Sequence, residues 1–282
     1  MNSLQDLDRS IDLWFEEDIR EGDHTTLSTI PAEAMGRAVL HVKQEGIIAG
    51  IAVAGRVFNR FDPQVKMTAF MDDGDSISVG DRVFEVAGRA QTILQCERLV
   101  LNIMQRMSGI ATSTREFVHL VEGTGTKILD TRKTTPGFRL LEKEAVRLGG
   151  GGNHRFGLFD MILIKDNHID FAGGIEQAIR GTLQYLEKNK LNLQIVVEAR
   201  NIRDVEEVLR IGNVNRIMLD NFTTRMTREA VTLIDGRLET ESSGGISRDT
   251  IREYAECGVD YISVGALTHQ VKSLDLSLKA DF

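Results

Sequence analysis

Charged side chains in this sequence collect directly behind short apolar runs. Asp130, Thr131, Arg132 and Lys133 follow KIL, and Lys165, Asp166, Asn167 and His168 follow MILI. Glu198 and Arg200 close the run IVV, and Asp220 and Asn221 close IML. Glu241, Ser242 and Ser243 precede Gly244 and Gly245, while Gly265 and Ala266 follow ISV. Arg132, Lys133, Arg155 and Lys165 stand in or beside these joins, although the chain as a whole carries a net charge of −8. Arginine grips a carboxylate or phosphate with two parallel hydrogen bonds, and lysine supplies a compact point charge. Each cation alone reads as a solvated loop charge. Gathered at one place they repel each other unless an anionic ligand compensates, so as a set they point to a polyanionic substrate.

Glu198 and Asp220 occupy equivalent positions on successive runs. Together they can hold Mg²⁺, which takes one or two carboxylates and completes its shell with water and substrate oxygens. They can equally offset positive charge developing on a sugar ring, or serve only as ion-pair partners for Arg200 or Arg216. Gly244, Gly245 and Gly265 offer bare backbone N–H groups where barrels often cradle phosphate, with the Ser243 hydroxyl beside them. Turns need glycine in any case. The four glycines 149–152 precede Asn153, His154 and Arg155. They read either as a mobile loop delivering His154 and Arg155 or as a disordered surface loop.

Other chemistry is not encoded. The six histidines and two cysteines form no metal-ligand spacing, so a structural zinc site is not expected. Neither G-x-G-x-x-G nor G-x-x-x-x-G-K-[ST] occurs, and no nucleophile elbow suggests a covalent intermediate. Cys96 and Cys257 read as buried thiols of a reducing compartment.

These side chains need a scaffold that aligns strand ends. Six apolar runs, TKILDTR, DMILIKDNH, LQIVVEAR, NRIMLDNF, RLETESSGG and DYISVGALT, recur at intervals of roughly 20 to 35 residues, the period of βα units closing into a barrel. Such a barrel fills its interior with branched apolar residues and builds its site at the C-terminal strand ends. The bland alternative is that charges after strands merely mark where loops begin. Upstream, Leu4, Leu7, Ile11, Trp14, Phe15 and Ile19 follow helical spacing up to Gly22, with Asp23 placed to cap the next element. From Gly36 to Val86 the pattern is β-like, and DDGDSISVGD reads as a hairpin region. A long helical pattern, ERLVLNIMQRMSGIATSTREFVHLVE, leads into the barrel. The fold class is therefore α/β. The expected domains are 1–110, with 270–282 returning to it, and an α/β barrel over 111–269 that carries the active site.

Composition narrows the partners. Acidic balance argues against nucleic acid and anionic membrane as main partners. No apolar stretch is long enough to span a bilayer, and the first 23 residues lack the pattern of a secretory signal. A cytoplasmic location is expected.

Several segments resemble the quinolinate phosphoribosyltransferase family: ILDTRKTTPGFRLLEKEAVRLGGGGNHRFGL, DMILIKDNH, VVEAR, IMLDNF, ESSGGIS and VGALTH, with ERLVLNIMQRMSGIAT and EEDIREGDHTT upstream. The resemblance implies an N-terminal α/β sandwich followed by an incomplete TIM-like α/β barrel. It implies phosphoribosyl transfer from phosphoribosyl diphosphate to quinolinate with decarboxylation, dependent on Mg²⁺, in de novo NAD biosynthesis. It also implies a homodimer whose active sites are completed across the interface. Matched residue by residue, Arg132, Lys133, His154, Arg155 and Lys165 are the quinolinate-binding cations, with Thr131 counted among the substrate-binding residues. Arg98 matches the arginine that reaches the neighbouring subunit's site. Glu198 and Asp220 match the carboxylates near ribose and Mg²⁺. Ser243, Gly244, Gly245, Gly265 and Ala266 match the phosphate loops, with His269 close by. Lys133, Lys165, Glu198 and Asp220 are the expected catalytic groups, and either lysine can assist decarboxylation.

Three other readings compete. A relative of the same fold acting on nicotinate, or associated with molybdate transport, needs fewer cations and releases no CO₂. A barrel isomerase or aldolase binding a sugar phosphate leaves the dicarboxylate-sized cation set unexplained. A non-catalytic anion-binding protein would bind phosphoribosyl diphosphate without consuming it.

Overall fold

The computed structural model describes residues 3–281. Met1 and Asn2 of the N-terminal stretch, and Phe282 at the end of the segment expected to return to the first domain, lie outside the described residues. In chain order the elements are α1 (Ser3–Asp18), α2 (His24–Thr29), β1 (Met35–Val42), β2 (Gly46–Ile47), α3 (Ile51–Phe61), β3 (Lys66–Ala69), β4 (Ser76–Ile77), β5 (Arg82–Arg89) and α4 (Ala90–Leu120). Then come β6 (Lys127–Leu129), α5 (Arg139–Leu148), β7 (Ile162–Ile164), α6 (Asp166–Ala172), α7 (Ile175–Asn189), β8 (Ile195–Ala199), α8 (Ile202–Ile211) and β9 (Arg216–Asp220). The chain ends with α9 (Thr224–Ile234), β10 (Glu239–Ser243), α10 (Ile251–Ala255), β11 (Tyr261–Ser263), α11 (Ala266–His269) and β12 (Leu276–Ala280). Among the described residues no helix is long and apolar enough to cross a membrane.

Two compact units share these elements. The first takes the chain up to Arg115, Thr134–Gly150 and the chain from Gln270 on; the second takes Glu116–Lys133 and Gly151–His269. Beside the expected division at residue 110 with 270–282 returning, the first unit also takes α5. Its Glu142 carboxylate is fully buried there and accepts the Arg106 guanidinium at 2.8 Å and the Thr135 hydroxyl at 2.9 Å. Removing such a buried carboxylate from its arginine would strand a charge in low dielectric, so α5 stays with α4.

The first unit is built on a four-stranded antiparallel sheet, β12-β1-β5-β3. Its core includes Leu40, Val42, Phe58, Phe84 and Met104. The β-like stretch is interrupted by α3, whose opening N–H groups are taken by one carboxylate: Asp73 accepts from Gly50, Ile51 and Ala52 at 2.6, 2.8 and 3.1 Å. DDGDSISVGD is not a simple hairpin either. Its strand β4 pairs with β2, while β3 pairs with β5 across it. Asp23 caps α2 by accepting the Thr26 N–H at 3.0 Å.

The second unit carries a six-stranded sheet in the order β6-β11-β10-β9-β8-β7, and every pairing in it is parallel. All six apolar runs are strands of it. An isolated parallel bridge joins Leu129 to Gly152, so β6 has one further neighbour while β7 ends the sheet. Successive side chains alternate between faces. One face therefore gathers Leu163, Val196, Glu198, Arg216, Met218, Asp220, Glu239, Glu241 and Tyr261. Only part of it is apolar. Leu163, Val196 and Met218 form a buried cluster, whereas Arg216 and Glu241 are buried ions on neighbouring strands. The expectation of a branched apolar interior fails on the β9–β10–β11 side.

Candidate active site

Parallel strands point their C-terminal ends the same way, which collects the ends of β7, β8, β9, β10 and β11 into one rim. Glu198 is the fourth residue of β8, and Asp220 the last of β9. Lys165 is the N-cap of α6, where the His168 Nδ1 accepts its backbone N–H at 2.9 Å. The Lys165 Nζ lies 4.0 Å from Glu198 Oε2. Lys133 comes to the same rim from behind β6. The Thr131 hydroxyl accepts its N–H at 3.0 Å, and the Thr268 hydroxyl donates to its carbonyl at 2.8 Å. Gly265 leaves room for it, since a Cβ there would meet Lys133 Cδ at 3.1 Å and His269 Nε2 at 3.0 Å. Ala266 opens the short helix α11 that His269 ends.

Asp220 is steadied by its neighbour: Asn221, at φ +56°, donates from Nδ2 to Asp220 Oδ2 at 2.6 Å. Gly244 makes that possible. A Cβ on it would run into the Asn221 carboxamide, with Cγ at 2.7 Å, and its φ of +94° favours glycine anyway. Ser243 contributes its carbonyl, which accepts the Asn221 N–H at 2.9 Å. Gly245, at φ +63°, has open space where a side chain would stand.

Burial, and then the charge of Asp220, hold the Glu198 carboxyl above its usual range, against Lys165 and the Asp166 N–H. Burial likewise raises Asp220, opposed by the Asn221 amide and by the charges of Lys165 and Lys133. The charge of Asp166 pushes both upward. Three carboxylates thus surround two lysines. Such a set attracts a cation and can also pull positive charge onto a bound sugar. Among the described residues no cluster of three His, Cys, Asp or Glu is arranged to hold a metal by itself. Two carboxylates suit an ion that draws its remaining ligands from substrate and water.

A separate pair of cations lies nearby in the same unit. Burial, and then the charge of Arg132, depress Arg155, with Asp160 as the opposing anion. The Arg132 Nε is buried without a hydrogen-bond partner. Two guanidinium groups that raise each other's energy, one buried and one partly buried, are compensated when an anion enters. Neither Arg200 nor Arg216 takes up the carboxylates of the rim. Arg200 pairs with Asp170 and Asp204, and Arg216 with Glu239 and Glu241.

The comparisons with known proteins agree with this geometry. The profile of the quinolinate phosphoribosyl transferase N-terminal domain matches residues 23–108, and that of the C-terminal domain matches residues 110–279. The chain belongs to the quinolinate phosphoribosyltransferase family. A tobacco (Nicotiana tabacum) relative named quinolinate phosphoribosyltransferase [decarboxylating] 1b is 47% identical, over 98% of this chain and 83% of that protein. A Bacillus subtilis relative named probable nicotinate-nucleotide pyrophosphorylase [carboxylating] is 43% identical, over 99% of this chain and 94% of its own length. The crystal structure of NadC from Streptococcus pyogenes superposes with a TM-score of 0.92 at 39% identity, covering 99% of this chain and 97% of the other.

The glycine run is ordered by packing. Gly149 faces Ala111 and Thr114 of α4, where a Cβ would meet the Ala111 carbonyl at 2.5 Å. Gly152 donates to the Ile128 carbonyl at 2.7 Å and accepts from Asp130 at 3.1 Å. Close backbone approach explains these glycines, in place of either a mobile or a disordered loop. His154 is buried, as is its neighbour Arg155, and its Nε2 stands 3.4 Å from Glu241 Oε2. Arg98 is an exposed residue of α4 in the first unit. Asp166 is the rim residue absent from the expected set; its signal was its place directly after Lys165 at the same strand end.

Proposed function

We propose that the chain transfers the phosphoribosyl group of phosphoribosyl diphosphate to the ring nitrogen of quinolinate and releases CO₂. The products are nicotinate mononucleotide and diphosphate, in de novo NAD biosynthesis. The observation that carries this reading is the division of charge in one unit: the buried Arg155 with the partly buried Arg132, beside a rim of Glu198, Asp220, Asp166, Lys133 and Lys165. A pyridine dicarboxylate suits the first group, and a sugar diphosphate needs both.

The quinolinate nitrogen lone pair forms the new bond to ribose C1 as the C1–O bond to diphosphate breaks and its electron pair leaves with the diphosphate. Glu198 and Asp220 offset the positive charge that develops on the ring, and the lysines hold the leaving group, so catalysis rests on positioning and electrostatics. The bond to the 2-carboxylate then breaks. Its electron pair stays on the pyridinium carbon, where Lys133 or Lys165 stabilises it until a proton arrives. Glu198 and Asp220 would also hold Mg²⁺, which when bound neutralises diphosphate charge. Ser243, Gly244, Gly245, Gly265, Ala266 and His269 would bind phosphate. A homodimer in which Arg98 enters the partner's site, and a cytoplasmic location, belong to the same reading.

The test is to incubate the protein with quinolinate, phosphoribosyl diphosphate and Mg²⁺ and to follow nicotinate mononucleotide and CO₂ together. Both should appear, with nicotinate inert as a substitute. Transfer to a base without CO₂ would reassign the substrate, and no consumption of phosphoribosyl diphosphate would end the transferase reading.

A further inference from the structure

The barrel sheet stops at β7, and among the described strands none pairs with its outer edge. Ile162 donates its N–H to the Gln194 carbonyl at 2.9 Å, on the β8 side. Successive strand residues direct their backbone groups to opposite sides, so Met161 and Leu163 turn theirs to the open edge. Arg155 supplies one donor there, from Nη1 to the Met161 carbonyl at 3.4 Å. Leu163 is buried, and no strand stands beyond it to take its N–H and carbonyl. Buried main-chain groups of this kind call for a partner. A cavity of about 460 Å³ runs along the same edge. Met161, Ile162, Leu163 and Ile164 line it in succession, taking in both faces of the strand, and Leu158 and Tyr185 extend its apolar wall. Arg155 lines it too; its guanidinium is buried, is destabilised by burial and by Arg132, and has Asp160 as the opposing anion. Helix α7 contributes Ala178 and Gly181 to the wall. A glycine inside a helix costs stability relative to alanine. Nothing crowds Gly181, since a Cβ there would meet no atom within 4 Å, so this glycine leaves the space beside the strand edge open.

We propose that this open seam is a second binding site, for a small aromatic monocarboxylate whose ring lies between β7 and α7 and whose carboxylate reaches Arg155 from the edge of the barrel. The size fits, because small-ligand pockets span about 300–1,000 Å³, with apolar walls and a few polar groups. The charge fits as well. Among the described lining residues Arg155 is the sole arginine or lysine, which suits one carboxylate and not a polyphosphate. The Leu163 N–H offers a further donor to the same group. An occupant would engage Arg155 from the seam and withdraw it from quinolinate, so the site is inhibitory. That effect rests on the proposed role of Arg155 as a quinolinate contact, whereas binding at the seam is independent of any activity.

The probe is 2-naphthoate, titrated by calorimetry into the full chain and into Gly181→Leu, which fills the cavity from a helix that gains by losing its glycine. Wild type should bind the probe saturably, and Gly181→Leu should bind it roughly tenfold more weakly or worse, because the added side chain occupies the ring's place. The neutral 2-naphthamide should bind wild type roughly tenfold more weakly than the acid, the loss of one charge-assisted hydrogen bond. Naphthoate should raise the quinolinate KM of wild type but not that of Gly181→Leu, whose kinetics without the probe should match wild type. No binding to wild type would overturn the proposal. Equal binding to Gly181→Leu would overturn it too, by placing the probe in the substrate site. Equal binding of the amide would remove Arg155 from the seam site, and Gly181-dependent binding with an unaltered quinolinate KM would refute inhibition. Gly181-dependent binding to a protein that does not turn over quinolinate would count against the proposed function alone. If Gly181→Leu does not fold, Tyr185→Ala, at an exposed position of the wall, reads the same contrast.

Discussion

Glu198 and Glu241 stand in one register row of the barrel sheet, each paired with Met218 from opposite sides. Both are buried, and their environments push them in opposite directions. Burial alone would raise Glu241, but the bonds from His154, Arg216 and Ser263 outweigh it and hold the carboxyl low. Glu198 has one lysine at 4.0 Å and a like-charged neighbour, so burial wins and the carboxyl rises. The β9–β10–β11 side of the interior is thus a closed ion network. The β7–β8–β9 side combines an apolar floor with a carboxylate rim that is short of cations. Sequence neighbours do not explain the contrast; the number of donors within reach does.

Replacing Glu241 by Ala should give the largest effect, a loss of about 3–5 kcal/mol in urea denaturation, because Arg216 is left buried without its main partner. Glu198→Gln should leave the urea midpoint at or above wild type. Equal losses in the two variants would erase the distinction. Lys165→Ala and Arg132→Ala should each cut turnover about 10²-fold or more without moving the urea midpoint. Near-wild-type turnover in either would remove that residue from the site.

Gly244→Ala comes next. It forces a positive φ on an L-residue and displaces Asn221 from Asp220, which should cost about 1–3 kcal/mol and raise the Asp220 carboxyl further. A crystal structure with Asn221 in place would contradict the packing argument. Asp220→Asn should be the gentlest change to the fold. Removing the repulsion with Glu198 should raise Tm by about 2–4 °C, as expected for about 1 kcal/mol in a chain of this size.

The sign of the pH dependence comes from the same contrast. Raised carboxyls on Glu198 and Asp220 add stability that is fully present below their unfolded pKa and lost as pH rises through the folded value. Glu241 behaves in reverse: its contribution is present above the unfolded pKa and lost as pH falls through the depressed folded value. Without divalent cation or substrate, Tm should therefore rise as pH drops from neutrality towards the ordinary carboxyl range, then fall in stronger acid. Asp220→Asn should flatten the first limb alone, as measured by calorimetry across pH.

The sequence alone carried much of this. Six strands were legible because runs such as ILI and IVVEA are apolar, short and bounded by charge, and the rim was legible because parallel strands all end on the same side. The residues DTRK and KDNH announced themselves by following such runs. Helix α3 was harder to read, since its span IAVAGRVFNRF lies between genuine strands and is as apolar as they are. The glycines 149–152 misled for another reason: glycine density looks the same whether it serves mobility or close contact.

What composition and spacing determined by themselves was the family of elements and the order of charges along the chain, because both depend on local periodicity. Only the tertiary structure decided which carboxylate meets a cation. Arg216 could have served Asp220 or Glu198, and the parallel register turned it to Glu239 and Glu241 instead. The protonation of each acid depends on burial and on donors from distant segments, and these become defined only when the strands are side by side.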